Sequence, residues 1–247
     1  MRRLNWQTTL VLGLVVLSAL LYVTHYAVFR DPHHIFIFML GDLAFIPAEV
    51  LLVTLVIHRL LTQREKRALL EKLNMVVGAF FSEVGTPLLT YLSDFDPRLE
   101  EVREELIVGD RWSERTFAEV GTRLRRYEYQ VDIRKVELEE LRAFLRGKRD
   151  FLLRLLENPS LLEHESFTEL LRAVFHLTEE LEGRDSLEQL PGADYDHLAT
   201  DMRRAYSLLV HEWLRYMRHL RNNYPYLFSL AMRTNPFDRD ASVLVTS

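Results

Sequence analysis

The 247-residue chain contains no cysteine, so disulfide bonds, thiolate metal ligands and a cysteine nucleophile are excluded. Its nine glycines do not cluster into a phosphate-binding loop, and no serine stands in a nucleophile elbow. No segment alternates polar and apolar residues as a half-buried strand does. These absences remove several familiar enzyme classes and favour an all-α fold.

Formal charge is also scarce in the first sixty or so residues, although the whole chain is 27% charged with a net charge of −5. Two long apolar blocks occupy this part, whereas the residues after Leu61 are rich in glutamate, arginine, aspartate and lysine. The average composition resembles that of a soluble protein. The distribution instead predicts one part in lipid and one in water.

The two apolar blocks predict transmembrane helices over about 7–29 and 35–61. A hydrocarbon layer of about 30 Å needs roughly 20 apolar residues, which each block supplies. The first block lacks the small-residue cleavage site of a signal peptide, so we expect it to be retained. The loop 30–34 is too short for anything but antiparallel neighbours, and residues 1–61 are therefore predicted to form a transmembrane hairpin.

The distribution of basic residues predicts the orientation of this hairpin. Positive charges flank its two ends, whereas the connecting loop offers one full positive charge, from Arg30. The flanking residues are Arg2, Arg3, Arg59, Arg64, Lys66 and Arg67. The positive-inside rule then places both termini in the cytoplasm.

Two carboxylates, Asp42 and Glu49, interrupt the second span, and Pro47 lies between them. Seven residues make two helical turns, so both acids share one face. A charged acid in the membrane costs about 2.5 kcal/mol or more, so it is expected to face protein or water. In one interpretation His25 pairs with Asp42, and a neutral Glu49 forms a hydrogen bond with Ser18 or with another subunit, so that these contacts join helices. In the other, a homo-oligomer lines a cation or proton path with the acids.

Three residues of the loop, Asp31, His33 and His34, are weak candidates for a metal site near His25. Their spacing matches no known metal motif, and histidines at a membrane surface also interact with lipid headgroups. No metal or cofactor is therefore predicted.

Residues 62–236 are predicted to form a cytoplasmic domain of several helices, followed by a flexible tail over 237–247. The stretch Leu73–Leu92 has one formal charge but too many polar residues for a third span, and is interpreted as a core helix. Further amphipathic helices are predicted over 98–107, 113–127, 133–157, 166–182, 195–222 and after Pro225. Ser166 and Glu169 form a predicted capping box.

Catalytic and nucleic-acid signatures are missing from this domain. The Glu-x-x-His pairs of di-iron bundles are absent, and the sequence after His211-Glu212 lacks the second histidine of a zinc protease. Basic clusters alternate with acids, which argues against nucleic-acid binding. We expect a protein without enzymatic activity.

The segments Phe29–Phe45 and Asn223–Phe237 resemble those of uncharacterised bacterial two-span membrane proteins that carry a cytoplasmic helical domain. The resemblance implies a bacterial inner membrane and no particular activity. The expected function is therefore that of an integral inner-membrane protein with a cytoplasmic interaction or regulatory domain. Its expected partners are the bilayer, further copies of the chain and a protein bound by the cytoplasmic domain. The alternative is a homo-oligomeric cation or proton channel.

Overall fold

The computed structural model describes residues 6–159, 161 and 164–244, with the backbone alone for 65–72. All regular structure in these residues is helical, which confirms the predicted all-α class. The chain divides into two compact units, Met1–Lys66 and Arg67–Ser247. The prediction had placed this division after residue 61.

The first unit contains helix α1 (Trp6–Phe29) and the beginning of helix α2 (Pro32–Phe80). Both helices are long and apolar enough to cross a membrane. Nearly every side chain from 6 to 64 is exposed in the isolated chain, including its many leucines, valines and isoleucines. An apolar surface of this extent is expected to contact lipid or other protein rather than water.

The connection between the two helices is shorter than the predicted loop 30–34. Arg30 adopts a left-handed conformation with φ of 50°, and its N–H donates to the carbonyl of Tyr26 at 2.9 Å, which ends α1. Asp31 then caps α2, because its Oδ1 accepts from the backbone N–H groups of His33 and His34 at 3.0 and 3.2 Å. Pro32 occupies the first helical position, where its missing N–H costs nothing.

The second unit begins with the end of α2, and the stretch Leu73–Asp94 is also long and apolar enough to cross a membrane. However, 44% of its most apolar window is buried inside the unit, as expected for a core helix. A π-helical turn over Phe81–Gly85 interrupts it, and α3 (Thr86–Asp94) follows. Phe80, Phe81 and Leu88 are fully buried there.

The remaining helices follow the predicted order and agree with it to within a few residues at most ends. They are α4 (Arg103–Leu106), α5 (Glu114–Leu124), α6 (Leu138–Leu156), α7 (Glu165–Glu182), α8 (Gly192–Asn223) and α9 (Pro225–Arg233). Helix α8 lies at the centre, because it packs against α3, α5, α7 and α9, while α6 packs against α7. The core of the unit is thus organised around the α7–α8 pair.

The predicted capping box at Ser166 and Glu169 was wrong. Helix α7 begins one residue earlier, and His164 caps it through Nδ1, which accepts from the N–H of Phe167 at 3.3 Å. Ser166 Oγ instead accepts from Arg215 Nη1 of α8 at 2.5 Å. A capping box does form at α5, where Ser113 and Thr116 exchange side-chain and backbone hydrogen bonds of 3.2 Å.

The segment after α9 is held in the fold, although the sequence predicted a flexible tail from residue 237. Phe237 is fully buried, and its N–H donates to Asn235 Oδ1 at 3.0 Å. Asn235 Nδ2 donates to the carbonyl of Leu106 at 2.8 Å, and Arg103 donates to the carbonyl of Phe237 at 3.0 Å. The packed segment therefore extends past the predicted boundary, and residues 245–247 lie outside the described residues.

Candidate functional site

The first candidate site is a cavity of about 340 Å³ between the two helices of the hairpin. Three of the five residues predicted for the polar membrane site line it: Ser18 and His25 from α1, and Asp42 from α2. Leu21, Tyr22, Ile35 and Phe38 form its apolar walls. The cavity thus places a hydroxyl, an imidazole and a carboxylate in largely apolar surroundings.

His25 is stacked rather than ion-paired in this cavity. Its ring lies parallel to that of His34, with centroids 6.0 Å apart, and 4.8 Å from the ring of Phe29. Its Nδ1 is buried without a hydrogen-bond partner among the described residues. The predicted pair with Asp42 therefore has its members at one cavity, with a nitrogen of His25 still unsatisfied.

The other two predicted residues of the membrane site, Glu49 and Pro47, do not line this cavity. Glu49 is exposed on the surface of the hairpin, and helix α2 continues through Pro47. Ser18, the predicted partner of Glu49, lines the cavity together with Asp42 instead. Glu49 in lipid would need a cover from outside the single hairpin.

The weak metal candidates of the loop have other contacts. Asp31 uses Oδ1 to cap α2, and the ring of His34 lies between those of His25 and Phe38, with a centroid distance of 4.6 Å to Phe38.

A second polar cluster lies in the other unit, between α7 and α8. His176 Nε2 is 3.4 Å from Asp201 Oδ2, and His197 Nε2 is 3.4 Å from the same oxygen. Glu180 completes the group, with its two oxygens 3.8 Å from His176 Nε2 and 3.4 Å from His197 Nε2. Two imidazoles and two carboxylates therefore converge on one point.

The electrostatics of this cluster are set partly by Arg184. Its guanidinium donates to both oxygens of Asp194 at 2.7 and 2.8 Å and to Glu180 Oε2 at 2.9 Å. These hydrogen bonds hold the pKa of both carboxyl groups below its usual value. Glu180 therefore stays ionised at neutral pH. Asp194, at the edge of the cluster, is also ionised.

This cluster was not predicted from the sequence, because its histidines do not belong to Glu-x-x-His pairs. The signal present was a histidine followed four residues later by a carboxylate, once on each of two consecutive helices: His176 with Glu180, and His197 with Asp201. A spacing of four residues puts both side chains of a pair on one helix face. The repetition on neighbouring helices was the informative feature.

A third feature is an apolar groove of about 580 Å³ between the stretch 74–86 and the helices α8 and α9. None of the sixteen described residues that line it is aspartate, glutamate, lysine or arginine. Met75, Tyr226 and Leu230 at this groove are exposed apolar side chains. Burial raises the pKa of Tyr216 and lowers that of His219, so both are neutral near pH 7.

Comparison with known proteins assigns both units to one family. The model of the MJ1433 N-terminal helical domain matches residues 2–61, and that of the MJ1433 C-terminal helical domain matches residues 69–233. The chain belongs to the MJ1433 family. A relative in this family, "Uncharacterized protein MJ1433" of Methanocaldococcus jannaschii, is 48% identical over 231 residues, which are 94% of this chain and 93% of the relative.

Membership of the MJ1433 family supports the division into two helical parts but adds no activity, because the relative's name states none. No solved structure matches the chain. The resemblance in the sequence had implied a bacterial membrane, whereas this MJ1433-family relative is archaeal. Two N-terminal helices of this chain are long and apolar enough to span a membrane.

Proposed function

We propose that this MJ1433-family protein is an integral membrane protein without enzymatic activity, whose cytoplasmic helical unit binds a protein partner. The hairpin fixes the chain in the bilayer, and both termini face the cytoplasm. The observation that carries the proposal is the uncharged apolar groove between the stretch 74–86, α8 and α9. Large exposed apolar surfaces of folded proteins mark interaction sites.

The composition of the groove favours a protein over a charged small molecule. Without a formally charged lining residue among those described, the groove offers no ion pair to a phosphate or a carboxylate. Three tyrosines, Tyr216, Tyr224 and Tyr226, line it together with Met75. Tyrosine and methionine are enriched at protein interfaces, so we commit to an apolar helix face of another protein as the occupant.

The experiment is recovery of partners from native membranes with the full-length protein. Leu230 at the groove and Ile107 away from it are matched, since each is 41% exposed. The wild type and Ile107→Glu should recover the same protein, and Leu230→Glu should lose it. Recovery of an identical set by all three forms would contradict the groove, and co-purified lipid alone, lost in Leu230→Glu, would assign the groove to acyl chains instead.

A second candidate is a homo-oligomeric cation or proton channel, which the exposed position of Glu49 favours. A second copy covering Glu49 would remove the carboxylate from lipid, and a ring of copies would line a path with it. Glu49→Gln should preserve assembly and reduce cation flux into liposomes. A monomeric protein in native-like membranes, or a cation flux unchanged by the substitution, would contradict the channel function.

A further inference from the structure

We propose that His176, His197 and Asp201 bind a divalent transition-metal ion between α7 and α8, with Glu180 at the fourth position. All three principal ligand atoms lie within 4.8 Å of one another. This site is separate from the groove and from the hairpin, and it does not depend on the proposed function.

The register of the two helices builds the site. His176 faces Asp201, and four residues further along α7 Glu180 faces His197, four residues earlier on α8. The helices are therefore antiparallel here, and each level of the interface contributes one imidazole and one carboxylate. Histidines and carboxylates that project from facing helices also hold metals in di-iron bundles, although there they are spaced as Glu-x-x-His pairs.

Three nitrogen-to-oxygen distances in the cluster match those between ligands of a single ion. Ligand atoms about 2.0–2.1 Å from a tetrahedral zinc ion lie about 3.3–3.4 Å from each other. Three of the nitrogen-to-oxygen distances in the cluster are 3.4 Å, and the fourth is 3.8 Å. These separations exceed those of ordinary charge-assisted hydrogen bonds, which are about 2.7–2.9 Å.

Asp201 supports the metal site independently of these distances. The residue is only 5% exposed, and its Oδ2, which faces both imidazoles, is buried without a hydrogen-bond partner among the described residues. A buried carboxylate oxygen without a partner is unfavourable, and a cation at this point would satisfy it. His176 and His197 have side chains 44% and 51% exposed, so an ion can enter from solvent.

The donor set indicates the class of metal. Imidazole suits zinc, copper, iron and nickel, whereas magnesium and calcium prefer oxygen ligands alone. Two nitrogens with one or two carboxylate oxygens therefore favour Zn²⁺ or Co²⁺ as probes. Arg184 holds one oxygen of Glu180, so the other three residues carry most of the affinity.

The test is titration of the untagged, chelator-treated full-length protein in detergent with Zn²⁺ by calorimetry and with Co²⁺ by visible absorption. We expect one ion per chain. Asp201→Asn and His197→Gln should each weaken binding by about 100-fold or more, since loss of even an outer-shell partner costs about 10–100-fold. His219→Gln, on the same helix but outside the cluster, should bind as the wild type does.

Two outcomes would overturn the proposal: no saturable binding by the wild type, or binding that Asp201→Asn leaves unchanged. Asp201→Asn preserves the size of the side chain, and circular dichroism should show whether it folds. If it does not, His197→Gln decides, since His197 is half-exposed and its replacement leaves the core intact. The variant His33→Gln/His34→Gln tests whether the loop of the hairpin is the source of any binding that remains.

Discussion

The backbone N–H of Thr86 donates to the carbonyl oxygen of Phe81, five residues earlier, instead of to the residue four positions back. Pro87 follows directly and cannot donate to the carbonyl of Glu83, as an α-helix would require. The π turn accommodates this missing bond and lets the helix continue into α3. It also brings Gly85 close to the rings of Phe80 and Phe81.

Gly85 is expected to be irreplaceable at this turn. A Cβ atom there would lie 2.6 Å from Phe81 Cδ1 and 2.9 Å from Phe80 Cε1, both in buried rings. Gly85→Ala should therefore lower the free energy of unfolding by about 1–3 kcal/mol, measured with urea on the full-length protein in detergent.

The matched control is Gly147→Ala in α6, where an added Cβ meets nothing within 4 Å. Alanine there should raise the stability by about 0.5–1 kcal/mol through helix propensity. Equal effects of the two substitutions would contradict the close packing around the π turn.

The stability of the second unit should fall as the pH drops below 6.5. Burial lowers the pKa of His211 from its ordinary value of 6.5, and its Nδ1–H donates to the carbonyl of Ser207 at 2.7 Å. Above pH 6.5 the ring is neutral in both the folded and the unfolded state, so His211 does not lower the free energy of unfolding. Below pH 6.5 His211 of the unfolded chain binds a proton, whereas His211 of the folded chain does so only at lower pH. The free energy of unfolding therefore declines as the pH falls from 6.5 towards the lower pKa of the folded state.

The measurement is thermal unfolding between pH 7.5 and 5 with a chelator present. His211→Gln should flatten the dependence, while His219, whose pKa burial also lowers, keeps a remainder. This pH range lies above 4.5, the ordinary pKa of glutamate. Glutamates with a lowered pKa, such as Glu101 and Glu180, therefore contribute little to the pH dependence of stability within it. His33→Gln, in the other unit, should leave the slope unchanged, and a slope unaltered by His211→Gln would refute the assignment.

Phe237→Ala should destabilise the second unit by about 3–5 kcal/mol, because it leaves a cavity at a fully buried ring. That ring lies edge-on to Trp213 of α8, with centroids 5.1 Å apart. Tyr226→Ala removes an aromatic residue that is 71% exposed, and should cost no more than about 0.5 kcal/mol. Near-native stability of Phe237→Ala in thermal unfolding would show that residues after α9 are not part of the core.

The orientation of the chain can be tested with a reporter enzyme fused after Asp240. The positive charges flanking the hairpin predict that the reporter lies in the cytoplasm. Activity only on the outer side would mean either that the hairpin is inverted or that a third helix crosses the membrane, and Leu73–Asp94 is the described stretch with the required length and composition.

Helical periodicity predicted most of the second unit correctly. The apolar stripe of α7 expected from a 3.6-residue period is buried throughout, from Phe167 to Leu181. Local sequence signals predicted a helix cap less well where two residues competed for the capping position. Ser166 was a reasonable cap by residue type, but Arg215 from α8 recruits its oxygen and His164 takes the capping position.

Contacts between distant parts of the chain could not be predicted from the sequence. The separation of His176 from Asp201 and of Glu180 from His197 depends on the register of α7 against α8, which periodicity does not specify. In the hairpin, counting from the turn placed His25 and Asp42 within reach of each other, and both line one cavity. The contacts of Ser18 were not predicted, because the second helix was assumed to start at residue 35 rather than at Pro32, which misplaced its residues in depth relative to the first helix.

The hydrogen bond from Asn235 to Leu106 spans 129 positions of the chain and has a consequence for biosynthesis. The hairpin leaves the ribosome first and can enter the bilayer at once, whereas the surroundings of α4 stay open until Asn235 and Phe237 emerge. During that interval Leu106 and Trp213 lack their final cover. The proposed membrane insertion of the hairpin would therefore precede closure of the second unit, and an arrested chain lacking residues 235–237 should be the form that proteases and chaperones recognise.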